Sequence, residues 1–142
     1  MTIDASRRPS PLSPVWSEAE RVAALESYAI LDTPAEADFD DIALLAAHAL
    51  DAPIAVINLI ASDRQWFKAQ VGLGVREMPL DVSICAQALL QDDFMVVPDT
   101  RQDPRFIDNP LVTADNGLRF YAGALLRAPS GVPIGTLCVI DD

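Results

Sequence analysis

Residues 53–73, "PIAVINLIASDRQWFKAQVGL", decide how the chain is built, because the periodicity of apolar residues changes there. The first half is almost continuously apolar and rich in β-branched side chains, the pattern of a strand covered on both faces and therefore central in its sheet. "SDR" supplies a turn, and the residues after it alternate. Strict alternation places Trp66, Lys68 and Gln70 on one side and Phe67, Ala69 and Val71 on the other. The stretch predicts a hairpin whose first strand lies deep in the molecule.

Upstream, the pattern is helical. Ser17 and Glu20 have the spacing of a capping box, and Val22, Leu25 and Ala29 follow on one face, predicting a helix near 17–30. Thr33, Pro34 and Glu36 repeat the start signal and predict a second helix from about 34 to 50. Its apolar face is read as Phe39, Ile42, Leu45, Ala46 and Ala49, with Asp40, Asp41 and His48 turned away. Residues 1–15 interleave three prolines with serines and cannot bury enough apolar surface to order themselves, so a loose tail is expected before a domain spanning 16–142.

Downstream, "FMVVPD" reads as a short strand stopped by Pro98, and "LRFYAGALLRA" and "VPIGTLCVID" as two more joined by a tight turn. Between Pro98 and Leu118 runs a connection of roughly 20 residues, a length that in compact domains usually belongs to a lid or binding loop. Phe106, Ile107, Leu111 and Val112 give it something to bury, so it is expected to pack over a cavity. Asp99, Arg101, Asp103 and Arg105 read as ion pairs that order it, since nothing in their spacing sets two carboxylates across a substrate.

The 142 residues fit one domain, and the formal net charge of −11 argues against binding a phosphate backbone, so no nucleic-acid partner is expected. No apolar run is long enough to cross a bilayer and no secretory signal opens the chain, so a cytoplasmic location without membrane association is the expectation. Two cysteines and one histidine, His48, make a four-ligand zinc site improbable. No metal and no cofactor are expected.

Six ordered blocks, "ALESYAILDTPAEADFDDI", "DRQWFKAQVGL", "DVSICAQAL", "DPRFIDNPLV", "RFYAGALL" and "PIGTLCVIDD", resemble a GAF domain of the bacterial signalling type, as found in sensor histidine kinases and diguanylate cyclases. The similarity covers about residues 17–142. It implies an α+β fold, with an antiparallel sheet of about five to six strands, helices packed on one face, and a small-molecule cavity on the other, walled by residues 81–92 and the long loop. It also implies a non-catalytic sensory or regulatory role, an output domain elsewhere in a longer chain, such as one of a two-component system, and homodimerisation. A closing helix would follow "GTLCVIDD", beyond Asp142.

Within that frame the expected pocket residues are Trp66, Ile84, Cys85, Leu89, Phe106, Leu111, Arg119 and Tyr121. Cys85 sits at a helix start, where unpaired backbone donors favour a thiolate, but Asp81 and the apolar neighbours Ile84, Ala86 and Leu89 oppose it, and we read it as pocket wall before nucleophile. Arg119 with Tyr121 could hold an anionic or planar ligand; an ion pair to Asp103 or Asp108 that pins the loop is the favoured reading. Two alternatives stay open. Some GAF domains are free methionine-(R)-sulfoxide reductases, which would require Cys138 to approach Cys85. Others tether a bilin through a cysteine followed by histidine, whereas Ala86 and Gln87 follow Cys85 here.

Overall fold

The computed structural model describes residues 16–142, and the tail expected at 1–15 lies outside the described residues. Two helices come first, α1 (Glu18–Glu26) and α2 (Ala37–Ala49), followed by strands β1 (Ile54–Ile60), β2 (Arg64–Val71) and β3 (Glu77–Pro79). A 3-10 turn at Leu80–Val82 leads into α3 (Cys85–Ala88) and β4 (Phe94–Val97). Another 3-10 turn at Thr100–Gln102, α4 (Pro110–Thr113), β5 (Phe120–Arg127) and β6 (Pro133–Asp141) complete the order. All strands pair antiparallel in one sheet of order β3-β2-β1-β6-β5-β4, which puts β1 at its centre beside β6.

Alternation along β1 sorts the core into two layers. Ala55, Ile57 and Leu59 face α1 and α2, whereas Val56 and Ile60 join Phe67, Cys85, Tyr121 and Cys138 on the opposite face. β3 was not expected as a strand; at three residues, ending in Pro79, it is too short to show a period. α1 begins as expected, with Ser17 Oγ accepting from the Glu20 amide at 3.1 Å, but stops at Glu26 because the chain turns into positive φ at Ala29. Leu25 is buried as expected; its companion in burial is Arg21, 1% exposed, whose guanidinium donates to the Ile60 carbonyl at 2.6 Å.

Lys68 overturns two of the sequence expectations. Its side chain is fully buried, and Nζ donates to Thr33 Oγ1 and the Pro34 carbonyl, both at 2.8 Å, and pairs with Glu36 at 2.5 Å. Thr33, Pro34 and Glu36 therefore cradle a buried cation, and α2 starts later than expected, at Ala37, with Glu36 as its N-cap residue and no side-chain cap. Lys68 is also the extra residue of a β-bulge, since Ile57 pairs with Ala69 and Asn58 with Phe67. The bulge breaks the alternation, so Ala69 shares the helix face with Trp66 and Lys68, and Phe67 and Gln65 look the other way.

The face of α2 also differs from the expected one. Ala43 and Ala47 are buried and Phe39 and Ala46 half-buried, while Ile42 is 47% and Leu45 69% exposed, and Ala49 is exposed with them. Small side chains let the helix axis approach the sheet, where Ala43 meets Ile57 and Ala69, and Ala47 meets Ala55 and Val139. Larger residues at those positions would hold it off. His48 is exposed on this helix, on the far side of the sheet from the second layer.

The central ladder is equally close. A Cβ added at Gly135 would lie 2.1 Å from the Asn58 carbonyl oxygen, a backbone atom that cannot step aside. Gly135→Ala is expected to lower unfolding free energy by about 3 kcal/mol, the upper range for overpacking, measured by urea denaturation; an unchanged midpoint would contradict the closeness of this approach.

Candidate functional site

Opposite the helices, the sheet carries a cavity of about 90 Å³. Val56, Asn58, Gln65, Phe67, Tyr121, Cys138 and Ile140 form its floor, Ile84 and Cys85 one wall, and half-buried Leu73, Met78, Leu111 and Leu118 the outer rim. None of the lining residues is an Asp, Glu, Lys, Arg or His.

Of the expected pocket residues, Ile84, Cys85, Leu111 and Tyr121 line this cavity. Leu89 and Phe106 are buried in the surrounding core without lining it. Trp66 lies on the helix face, against Leu25, Leu59 and Ala61, on the same side as Lys68 and away from the cavity. Arg119 is outside the cavity too. Its guanidinium donates to the carbonyls of Val112 at 2.6 Å and Ala114 at 3.3 Å, so it pins the long loop through backbone acceptors and not through the Asp103 or Asp108 carboxylates expected to pair with it.

The loop is fastened at further points. Thr100 donates its hydroxyl to the Leu118 carbonyl at 2.5 Å, and Asn109 donates across to the Val82 carbonyl at 3.1 Å while its Oδ1 accepts from the Leu111 amide. The acidic–basic repeat forms the local pairs Asp99–Arg101 and Asp103–Arg105. Each arginine holds its partner carboxylate below the usual range. With Phe106 and Val112 buried beneath it, the loop is a fixed cover over the second layer.

Sequence reasoning missed the polar side of the cavity. Gln65 Oε1 accepts from Asn58 Nδ2 at 2.8 Å and from the Ser83 hydroxyl at 2.9 Å, and Ser83 in turn accepts from the Ala86 amide at 3.0 Å, which ties the start of α3 to the sheet. Asn58 Oδ1 and Thr136 Oγ1, buried and directly opposed across the β1–β6 ladder, have no partner. An unpaired buried polar atom costs about 1–3 kcal/mol and calls for an explanation. The signal was present: Asn58 and Thr136 are polar residues inside strands otherwise read as apolar.

At the cavity floor the two thiols meet. Cys85 Sγ and Cys138 Sγ are 3.7 Å apart, and Tyr121 donates its hydroxyl to Cys85 Sγ at 3.1 Å. Tyr121 fits because its ring lies over Gly123, where a Cβ would come within 2.3 Å of the phenol oxygen. The hydrogen bond from Cys138 draws the Cys85 thiol down to about 7 against the opposing effect of burial. The Thr136 and Tyr121 hydroxyls help. Cys138 is pushed up by the same hydrogen bond and by burial, and Tyr121 is pushed up by burial and by the charge on Cys85.

The fold has known counterparts. The GAF domain of a phosphoenolpyruvate-protein phosphotransferase from Acinetobacter superposes with a TM-score of 0.55 at 16% identity, over 87% of this chain and 76% of that one. The chain has the GAF fold. A free methionine-R-sulfoxide reductase from Neisseria meningitidis, solved with its substrate, shares the GAF fold at a TM-score of 0.58 and 20% identity, covering 87% of this chain and 72% of that one. In sequence, the chain is 40% identical over 124 residues to a cyclic di-GMP phosphodiesterase of Pseudomonas aeruginosa, which covers 87% of this chain. The match spans 21% of that protein's length. No family model matches the chain.

Because a donor to the thiolate favours the charged form, removing it raises the pKa. Tyr121→Phe is expected to shift the pH midpoint of thiolate absorbance at Cys85 upward from about 7 toward the ordinary thiol value of 9.0; a midpoint that stays or falls would remove Tyr121 from this role.

Proposed function

We propose that this chain is the sensory, regulatory GAF domain of a bacterial signalling protein, and that its cavity takes a small uncharged molecule bearing a hydrogen-bond donor. One observation carries this reading: a cavity lined by no acidic or basic residue, with Asn58 Oδ1 on its floor unpaired. At about 90 Å³ it has the volume of about three waters, well below the ~300 Å³ at which drug-sized pockets begin. A phosphate or carboxylate would enter without a cation to meet it.

The 40% identity to part of a cyclic di-GMP phosphodiesterase supports an output of that signalling class, with the chain acting as the input module of a longer protein. Among the described residues no helix is long and apolar enough to cross a membrane, which is compatible with a cytoplasmic input. The exposed apolar face of α2, with Ile42, Leu45 and Leu50, supports homodimerisation through this helix. In sedimentation velocity the protein is expected to run as a dimer and Leu45→Glu as a monomer; equal sedimentation of the two would end the dimer reading.

A thiol-dependent reductase is the second reading, favoured by the 3.7 Å separation of the two sulfurs and by the reductases among the GAF folds. Against it, the cavity lining has neither a basic residue for the carboxylate nor an acidic residue for the ammonium of a free amino acid. A covalent bilin is disfavoured by the small volume and by Ala86 after Cys85.

A thermal-shift series of small alcohols, amides and ureas beside carboxylates and phosphates tests the ligand class. Stabilisation by a neutral donor is expected, approaching about 2.7 kcal/mol at a hundredfold excess over Kd, and loss of it in Asn58→Leu. Stabilisation by anions alone, or methionine release from methionine sulfoxide, would replace this reading.

A further inference from the structure

We propose that Cys85 and Cys138 form a peroxide-oxidisable thiol pair, a modification site inside the cavity that a small hydroperoxide reaches and converts to a disulfide joining α3 to β6. The inference stands on the thiol geometry and does not depend on whether the cavity also holds a ligand.

Both sulfurs belong to cavity-lining residues and lie 3.7 Å apart, so no segment has to unfold for them to react with one another. The pair is asymmetric. Tyr121 donates its hydroxyl to Cys85 Sγ at 3.1 Å, which makes Cys85 the sulfur better able to carry negative charge and assigns it the attack. Cys138, on the sheet's central ladder, is the resolving thiol. Its own ionisation is suppressed while Cys85 holds the charge.

The chemistry balances with hydrogen peroxide as the oxidant. Cys85 sulfur attacks one peroxide oxygen and the O–O bond breaks; the thiol proton ends on the departing oxygen as water, and Cys85 is oxidised to a sulfenic acid. Cys138 sulfur then attacks the sulfenic sulfur, the S–O bond breaks, and the Cys138 proton leaves with that oxygen as a second water. Two thiols and one peroxide give one disulfide and two waters.

The cavity selects the oxidant. A volume of about 90 Å³ admits a peroxide the size of a few water molecules and excludes a bulky disulfide such as oxidised glutathione, whose charges would also find no counterpart in the lining. Closing the bond draws the sulfurs from 3.7 Å to about 2.05 Å. β6 is held by strands on both sides, so the yielding partner is the single turn of α3, anchored through Ser83 to Gln65 and Asn58. Oxidation therefore reshapes the wall of the cavity.

The test treats the full reduced chain with hydrogen peroxide, with oxidised glutathione and with free methionine (R)-sulfoxide in parallel, followed by intact-mass and peptide mapping. Peroxide is expected to remove two hydrogens from the folded wild type and to link the Cys85 and Cys138 peptides, while oxidised glutathione leaves both thiols free. In Cys138→Ser, dimedone is expected to label Cys85; in Cys85→Ala, peroxide leaves Cys138 unlabelled. The proposal is overturned if peroxide leaves both thiols reduced in the folded wild type, if oxidised glutathione links them as readily, or if Cys138 is the labelled residue. Linkage by methionine sulfoxide with methionine release, and none by peroxide, would overturn it in favour of the reductase. The wild-type arm decides the matter even where a variant fails to fold.

Discussion

The ladder between β1 and β6 is the constraint on which the rest of the molecule depends. Both strands are covered on both faces, so every residue along them is committed to one layer or the other, and their closest approach leaves no space for a side chain at Gly135. One face must be flat and small enough for α2 to lie on its alanines. The other carries Val56 opposite Cys138 and Asn58 opposite Thr136, and so brings a thiol and an unpaired amide oxygen to the same floor. The site is thus a by-product of strand register, and a slip of one residue would exchange the two layers.

Polar groups then fix what apolar packing leaves loose. Lys68, Arg21 and Arg119 each spend their donors on backbone carbonyls of segments with little regular structure of their own: the 33–36 turn, the end of β1, and the 112–118 stretch. Carbonyls are obligatory acceptors whose position follows the chain, so a guanidinium or ammonium bound to them specifies the path of a loop more tightly than an exposed carboxylate could. In an acidic protein the cations are few, and these three go to places where the backbone needs them.

Much of this was legible in the sequence. The continuous apolar run at 54–60 and its hairpin partner gave a central strand, the capping box at Ser17 gave α1, and the length and apolar content of 99–118 gave a packed cover. Several of the failures lie at polar residues whose partners are distant in sequence. Thr33, Pro34 and Glu36 look like a helix cap until Lys68, more than thirty residues away, claims them. A bulge leaves no mark on periodicity until its partner strand is known, which is why Ala69 and Val71 were grouped with Phe67. Arg119 was read for its charge when its geometry serves carbonyls. The proximity of Cys85 and Cys138 depends on where α3 rests over the sheet, a tertiary fact without a local signal.

Arg21 joins α1 to the last carbonyl of β1, the strand whose opposite side floors the cavity. The guanidinium is planar and also held by Glu18, so it behaves as a strut and not as a hinge. α1 can neither roll about its axis nor slide along the sheet without pulling on the end of β1. The shortest mechanical route from the cavity floor to the front of the domain therefore runs down one strand and through one side chain.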